Sequence, residues 1–251
     1  WGMNEYGELG TTAAIDLCDI PGITLVACTG TPQRVTGAPA FAALASSRGH
    51  GSSCGLTAAG AAWCWGFGLG GQLGDGRSAD SAQAVAVAGG HQFAMLRMSS
   101  SSLASCGLTP SGEGWCWGPF PDLWGNGAGV GSNVPVRVDW GRGFATLDLG
   151  ELHGCGLTAD GQAWCWGSNW YGQLGVGSAG GSGGLSSSGT PRAVVGAQVW
   201  RGIATGSDHS CALDDTGAAW CWGVAYALGS PTSVPDYVGT PQRVAGGMCS
   251  R

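Results

Sequence analysis

The stretch Cys54-Gly55-Leu56-Thr57-Ala58-Ala59-Gly60-Ala61-Ala62-Trp63-Cys64-Trp65-Gly66 decides the fold, because it comes back three times. The same frame runs from Cys106 to Gly118, from Cys155 to Gly167 and, with Cys-Ala-Leu-Asp at its start, from Cys211 to Gly223. Two cysteines ten positions apart bracket each copy, and a glycine (Gly60, Gly112, Gly161, Gly217) stands four before the second. A three-residue hairpin loop takes a type I turn followed by glycine in the left-handed region, and Ala58-Ala59-Gly60 and its counterparts have that form. With Thr57 and Ala61 closing the loop, Cys54 and Cys64 face each other at a non-hydrogen-bonded position of an antiparallel pair. Cα atoms approach there to about 4.5 Å, within disulfide range. Strand alternation places Trp63 and Trp65 on one face and Cys64 on the other.

Working outward, each hairpin belongs to a longer unit. The second motif tryptophan stands at 65, 117, 166 and 222, giving spacings of 52, 49 and 56. Trp1-Gly2 has the form of an earlier motif end, at a spacing of 64 from Trp65. After Trp-Gly comes a glycine-rich turn: Tyr6-Gly7-Glu8-Leu9-Gly10, Gly70-Gly71-Gln72-Leu73-Gly74, Tyr171-Gly172-Gln173-Leu174-Gly175 and the weaker Ala227-Leu228-Gly229. A Pro/Gln-Arg-Val segment follows (Pro32 to Val35, Pro135 to Val138, Pro191 to Val194, Pro241 to Val244), then a short apolar stretch such as Phe144-Ala145-Thr146-Leu147. Four short strands in each unit of about 50 residues are the mark of propeller blades. The expected fold is all-β: a β-propeller or propeller segment of about five repeat units, 49–64 residues long, with four-stranded blades, occupying residues 1–251 as one repeat domain.

Composition agrees. Of 251 residues 50 are glycine and 13 tryptophan, none is lysine, and charged residues make up 10%. The glycines keep no three-residue period, which excludes collagen. A hydrophobic content of 43% is too high for a disordered chain. No apolar run approaches the roughly 18 residues of a membrane-spanning helix. The net charge is −6 and the arginines form no basic patch, which argues against nucleic-acid binding. Without lysine, Schiff-base and phosphate-loop lysine chemistry is excluded.

The unit Cys-Gly-Leu-Thr-x-x-Gly-x-x-Trp-Cys-Trp-Gly, then Tyr-Gly-Gln-Leu-Gly, then Pro-x-Arg-Val, resembles the regulator-of-chromosome-condensation repeat in its bacterial, cysteine-containing form. The resemblance covers essentially the whole chain. It implies a β-propeller, commonly seven-bladed and often closed by strands from both termini, in a family that includes a nucleotide-exchange factor for a small GTPase and a secreted β-lactamase inhibitor. This chain departs from the pattern. It has four full hairpins for five Trp-Gly turns, so either it is a fragment or partly ordered part of a longer chain, the favoured expectation, or its ring closes without one hairpin. Its second full repeat is irregular, with Ser99 to Ser102 where other copies have glycine and Pro119-Phe120-Pro121 at the turn.

Four cysteine pairs at one spacing (Cys54/Cys64, Cys106/Cys116, Cys155/Cys165, Cys211/Cys221) suggest four disulfides and an oxidising compartment; free, buried cysteines are the alternative. Cys18 and Cys28, also ten apart around the turn signal Pro21-Gly22, staple an insert, and Cys249 has no mate. No Cys-x-x-Cys knuckle is present, so no metal site is expected. His153 and His209 stand two before a hairpin cysteine and read as structural, bonding a neighbouring blade's backbone. Gly51-Ser52-Ser53-Cys54-Gly55 and Gly180-Gly181-Ser182-Gly183-Gly184 imitate a hydrolase nucleophile elbow, and Gly66 to Gly71 a dinucleotide loop. Each lacks the strand-to-helix context such motifs need. With no coherent catalytic constellation, neither enzymatic activity nor a cofactor is expected.

The eight motif tryptophans read as blade packing. Trp124, Trp140, Trp170 and Trp200 lie outside the repeated motifs and are free to serve recognition. Trp124, Trp170 and Tyr171, on turns that follow Trp-Gly, are the candidate partner-binding residues. The Cys18–Cys28 insert and the Gly177 to Gly189 stretch, read as flexible, are the other variable segments. The leading functional expectation is a non-enzymatic, exported (secreted, extracellular or periplasmic) protein-binding or scaffold module using the loops of one face. The alternatives are a structural subunit of an extracellular or envelope assembly, self-associating through unpaired blade edges, and a secreted enzyme inhibitor.

Overall fold

The computed structural model describes residues 2–12, 16–20, 23–47, 51–101, 104–119, 125, 130–138, 141–225 and 236–244. Five antiparallel sheets follow one another along the chain. The first contains β1 (Gly2–Met3), β2 (Asp16–Ile20) and β3 (Ile23–Thr29), in the order β1-β3-β2. The other four are four-stranded meanders: β4 (Ala43–Ser46), β5 (Ser52–Leu56), β6 (Ala62–Gly66) and β7 (Ser81–Ala86); β8 (Met95–Met98), β9 (Ser105–Leu108), β10 (Gly114–Gly118) and β11 (Ser132–Arg137); β12 (Thr146–Leu149), β13 (His153–Leu157), β14 (Ala163–Ser168) and β15 (Ser187–Ala193); β16 (Trp200–Thr205), β17 (His209–Asp214), β18 (Ala219–Val224) and β19 (Tyr237–Arg243). The chain divides into two compact units. One contains Trp1–Pro110, Trp115–Phe120 and Val130–Arg137; the other contains Ser111–Gly114, Pro121–Gly129 and Val138–Arg251. Among the described residues no helix is long and apolar enough to cross a membrane.

The hairpin register is the one the sequence specifies. Cys54 pairs with Cys64, Cys155 with Cys165 and Cys211 with Cys221. Thr57 N donates to Ala61 O (2.9 Å) and Gly60 N to Thr57 O (2.9 Å), a type I turn ending in Gly60 at φ 85°. The last residue of Cys-Gly-Leu-Thr closes the loop with its side chain: Thr57 Oγ1 accepts from Ala61 N (3.0 Å), Thr158 Oγ1 from Gln162 N (3.0 Å) and Asp214 Oδ1 from Ala218 N (2.9 Å). That shared role explains why aspartate replaces threonine in the last copy. Disulfides join Cys54–Cys64, Cys106–Cys116, Cys155–Cys165 and Cys211–Cys221 with Cα separations of 4.0–4.1 Å.

Cys18–Cys28 differs. Cys18 lies opposite Val26 and Cys28 opposite Asp16, so this bond runs diagonally, with Cα atoms 5.8 Å apart. The insert it staples is a hairpin that adds an outer strand, β2, to the first sheet, so part of its length goes into blade structure instead of a free loop.

The two faces of a blade carry different chemistry, and within each unit unlike faces meet. In the first unit Cys54, Cys64, Leu56 and Leu73 of one blade pack against Phe93, Leu96 and Trp117 of the next. In the second, Cys155, Cys165, Leu157 and Leu174 pack against Trp200 and Trp222. The second motif tryptophan is the buried one, at 4% exposure for Trp65 and 0% for Trp117, Trp166 and Trp222. A further aromatic lies beside it in each blade: Phe41 by Trp65, Phe93 by Trp117, Phe144 by Trp166 and Trp200 by Trp222, with centroids 5.5–6.1 Å apart. This corrects the reading of Trp200 as a residue free for recognition. It occupies a repeat position, is 4% exposed and fills the slot that phenylalanine fills elsewhere.

The buried indole also makes the bond that joins one blade to the turn of the blade before it. Trp65 Nε1 donates to Glu8 O (2.9 Å), Trp117 Nε1 to Gln72 O (2.9 Å) and Trp222 Nε1 to Gln173 O (2.8 Å). Two residues after each acceptor stands Gly10, Gly74 or Gly175, at φ 66°, 71° and 68°. A Cβ on Gly74 would lie 2.6 Å from Trp117 Nε1, and one on Gly175 2.8 Å from Trp222 Nε1. The Leu-Gly signature thus places leucine in the core (Leu73 1% and Leu174 0% exposed) and removes a side chain where the indole must pass.

Two outcomes are expected. Alkylation of the unreduced, denatured protein should leave the ten paired cysteines unlabelled, with Cys249 the only candidate for modification; labelling at Cys54 and Cys64 would contradict the pairing. Gly74→Ala should cost about 2–4 kcal/mol in urea unfolding, from left-handed strain plus overpacking against Trp117.

Candidate interaction surface

In the second unit the turn after β14 is built on two buried amides. Asn169 and Gln173 are both 0% exposed. Asn169 Oδ1 accepts from Leu174 N (3.0 Å), while its Nδ2 donates to Ser178 O (2.9 Å) and Leu185 O (2.8 Å). Its main chain bonds Ser186 O and accepts from Gly172 N and Gly180 N. Gln173 Oε1 accepts from Tyr171 N (2.9 Å), and Nε2 donates to Ser168 Oγ (3.3 Å). Most buried amides have their donors and acceptors met. Meeting them here ties down both limbs of the turn and leaves Trp170 and Tyr171 at its outside.

Trp170 is 53% exposed and Tyr171 37%. A tryptophan half open to water on a hydrogen-bonded turn loses little conformational entropy on binding, which is what an interface anchor needs. Leu185, 36% exposed, lies on the segment that Asn169 holds. That segment is not the flexible stretch the composition suggests. It forms a short 3-10 turn at Gly180–Ser182, with Gly181 N on Trp170 O (2.9 Å), Gly184 N on Ala179 O (3.0 Å) and Gly177 N on Gly239 O (2.8 Å). Trp124, the other aromatic candidate, lies outside the described residues, as do Trp140, His50 and Cys249.

His153 is a structural residue: the Ser207 backbone acts on its ring, and a side chain of the next blade bonds it as well. It is fully buried, and its Nε2 lies 2.9 Å from Ser210 Oγ on the next blade. Ser210 Oγ also lies 2.9 Å from Gln173 O. The imidazole is thereby joined to the carbonyl that Trp222 also uses. Burial, then the nearby His209 charge, push the His153 pKa down to about 3, partly offset by the Ser207 backbone. His209 is lowered by its own burial, with Asp208 opposing. Asp148, a variable acid in the sequence, accepts from Thr205 N (2.8 Å) and Oγ1 (3.0 Å) between inner strands β12 and β16. The elbow-like Gly51 to Gly55 runs into β5, a regular hairpin strand, with Ser52 1% exposed. Among the described residues no three His, Cys, Asp or Glu side chains gather as a metal site requires.

Asn169, Gln173 and Ser210 are residues that reasoning from motifs passes over. A signal for them exists: asparagine recurs after Trp-Gly-x at Asn4 and Asn169, and glutamine before Leu-Gly at Gln72 and Gln173. Asn4 repeats the geometry, its Oδ1 accepting from Leu9 N at 2.8 Å.

Comparison with known proteins agrees with this construction. Residues 160–213 match the regulator of chromosome condensation (RCC1) repeat, and residues 144–173 match a second model of the same repeat. No curated protein matches the chain in sequence. Among solved structures it is similar to human WBSCR16, with 18% identity and a TM-score of 0.76 over 96% of this chain and 61% of that one. It is also similar to Prp20p of Saccharomyces cerevisiae, with 20% identity and a TM-score of 0.72 over 88% of this chain and 54% of that one. A second structure, of yeast RCC1 (Prp20) bound to Kap60, matches at 20% identity and a TM-score of 0.71, over 88% and 52%. Residues 144–213 are thus of the RCC1-repeat type, and the five sheets have the fold of β-propeller blades. The chain spans about half to three fifths of the length of the structures it matches.

The buried histidine makes stability depend on pH. Its folded pKa lies below that of the unfolded chain, so the unfolded state takes up a proton first. Stability is complete above about pH 6.5 and falls with acidification at up to about 1.4 kcal/mol per pH unit. Urea unfolding at a series of pH values between about 6 and 4.5 should show this slope, and His153→Gln should flatten it.

Proposed function

We propose that this chain is a non-enzymatic, exported protein-interaction module that binds its partner through the loops following Trp-Gly, with Trp170 and Tyr171 as anchors. The observation that carries the reading is the half-exposed Trp170 on a turn whose two supporting amides are completely buried. The fold class supports it: the solved structures that the chain resembles include one bound to Kap60 and one described through its binding to Gsp1p and histones. Five disulfides support an oxidising, extracellular or periplasmic location. They also weigh against a cytosolic exchange factor. A role as a structural subunit of an envelope assembly is the second reading, favoured by the exposed Leu17 and Leu25 on the extra hairpin of the first sheet.

The test is partner capture with the wild-type protein and Trp170→Ala, followed by affinity measurement on the partner recovered. Trp170→Ala should weaken binding by about 2 kcal/mol and leave the thermal midpoint within a degree or two, because the side chain contributes little to the core. Unchanged affinity, or a complex with Trp170 still open to solvent, would overturn the assignment.

A further inference from the structure

The turn that presents Trp170 and Tyr171 has a counterpart in the first unit, and its chemistry is different. Tyr6-Gly7-Glu8-Leu9-Gly10 repeats Tyr171-Gly172-Gln173-Leu174-Gly175, with Glu5 in place of Trp170 and Glu8 in place of Gln173. Glu8 keeps the structural half of the glutamine's task. Its Oε2 accepts from Tyr6 N (2.9 Å), as Gln173 Oε1 does from Tyr171 N (2.9 Å), and its carbonyl receives Trp65 Nε1. The other half is lost. Gln173 Nε2 donates to Ser168 Oγ, but a carboxylate has no proton to donate and Met3 stands where Ser168 would be. A neutral, fully buried amide has become a half-buried negative charge.

Aromatic and apolar surface lies beside it. Tyr6 meets Phe67 edge to face, with centroids 5.1 Å apart, and Leu69, on the following turn, is 60% exposed. Glu5 and Asp80 are exposed. Glu5 and Glu8 flank Tyr6 in the turn, Glu8 through its bond to Tyr6 N, and the Tyr6 hydroxyl pKa is raised by Glu5 first, then by burial, Glu8 and Asp80. Asp80 Oδ1 accepts from Gly68 N (2.8 Å), which holds that carboxylate on the Phe67–Leu69 turn. Arg77 pairs with Asp75 at 3.7 Å.

Resting on the reading that these turns are recognition elements, we propose that the Tyr6–Phe67–Leu69 surface binds an arginine- or lysine-bearing segment of a partner protein, with the cation over the Tyr6 ring among Glu5, Glu8 and Asp80. Charge complementarity decides the class of occupant. An aromatic face ringed by carboxylates attracts a cation and repels an acidic or second acidic chain. This protein has no lysine and a net charge of −6, so a second copy of itself is a poor ligand.

The test uses NMR titration of the intact chain with an acetylated Gly-Arg-Gly-Arg-Gly peptide and with the same peptide carrying citrulline, a neutral isostere, for arginine. The arginine peptide should give saturable shifts confined to Tyr6, Phe67, Leu69 and their neighbours, and the citrulline peptide should bind roughly tenfold more weakly. Glu5→Gln, on the solvent side of the turn, and Tyr6→Leu should each weaken the arginine peptide severalfold; Glu5→Gln keeps the test valid if Tyr6→Leu unfolds. Shifts spread over unrelated acids such as Asp215 and Asp236, equal binding of the two peptides, or indifference to Glu5→Gln would each overturn the proposal. Trp170→Ala separates the two readings. It should leave the arginine peptide unaffected, so loss of peptide binding with a Trp170-dependent partner retained defeats only this inference.

Discussion

One hydrogen bond organises this protein: the indole N–H of the second motif tryptophan, donated to a main-chain carbonyl in the turn of the blade before it. It recurs at Trp65, Trp117 and Trp222 with nearly the same length, 2.9, 2.9 and 2.8 Å. A tryptophan can be buried fully only if its single polar atom finds a partner. Here the partner lies on the neighbouring blade, so burying the ring and aligning the blades are one event. The leucine one position on from the acceptor fills the core, and the glycine after it clears space for the ring. A chain with so few charged residues and no helix-forming stretch can hold together this way because each blade supplies the wall its neighbour lacks.

The same bond explains where variation is tolerated. Once the carbonyl of Gln72, Gln173 or Glu8 is committed to an indole, the backbone of the turn is settled whatever its outward residues are. The turn can then carry Leu69-Gly70 in one blade, Trp170-Tyr171 in another and Glu5-Tyr6 in a third. Recognition by a rigid turn with exchangeable tips loses little ordering entropy, which is the usual tax on loop-mediated binding. The disulfides serve a different end. Buried on the opposite face, Cys54, Cys64, Cys155 and Cys165 form the smooth apolar wall that receives the next blade's aromatics.

Polar burial is the weak point of this design and also its link to the surroundings. His153, Ser210 and Gln173 form a buried chain, and protonating the histidine would place a charge in a fully buried site. The other blades avoid the problem: Ser52 and Ala104 occupy the equivalent position, beside a longer turn in which Ser47 N bonds Ser52 O and Ser99 N bonds Ala104 O. In the two short-turn blades the bond spans three residues, Gly150 N to His153 O and Gly206 N to His209 O, and the imidazole covers the glycine. Ser99, in a serine run that is irregular in sequence, thus closes the same strand pair in another way: its N bonds Ala104 O and its Oγ accepts from Ala104 N.

The amino-acid sequence alone determined the repeat, the hairpin register, the loop glycines and the pairing of the cysteines. All of these depend on contacts within a single hairpin, where turn chemistry and strand alternation leave a single solution. It also marked Trp170 and Tyr171 as outside the packing pattern, since a residue that differs between repeats cannot be what builds every blade. Only the tertiary structure decided what depends on neighbours a whole repeat away. It put Trp200 in a phenylalanine slot and turned part of the Cys18–Cys28 insert into a strand. It ordered the Gly177 to Gly189 stretch around Asn169 and joined His153 to a serine hydroxyl of the next blade. In each case the partner that fixes the residue lies on another strand or blade, so the pairing cannot be read from the residue's own segment.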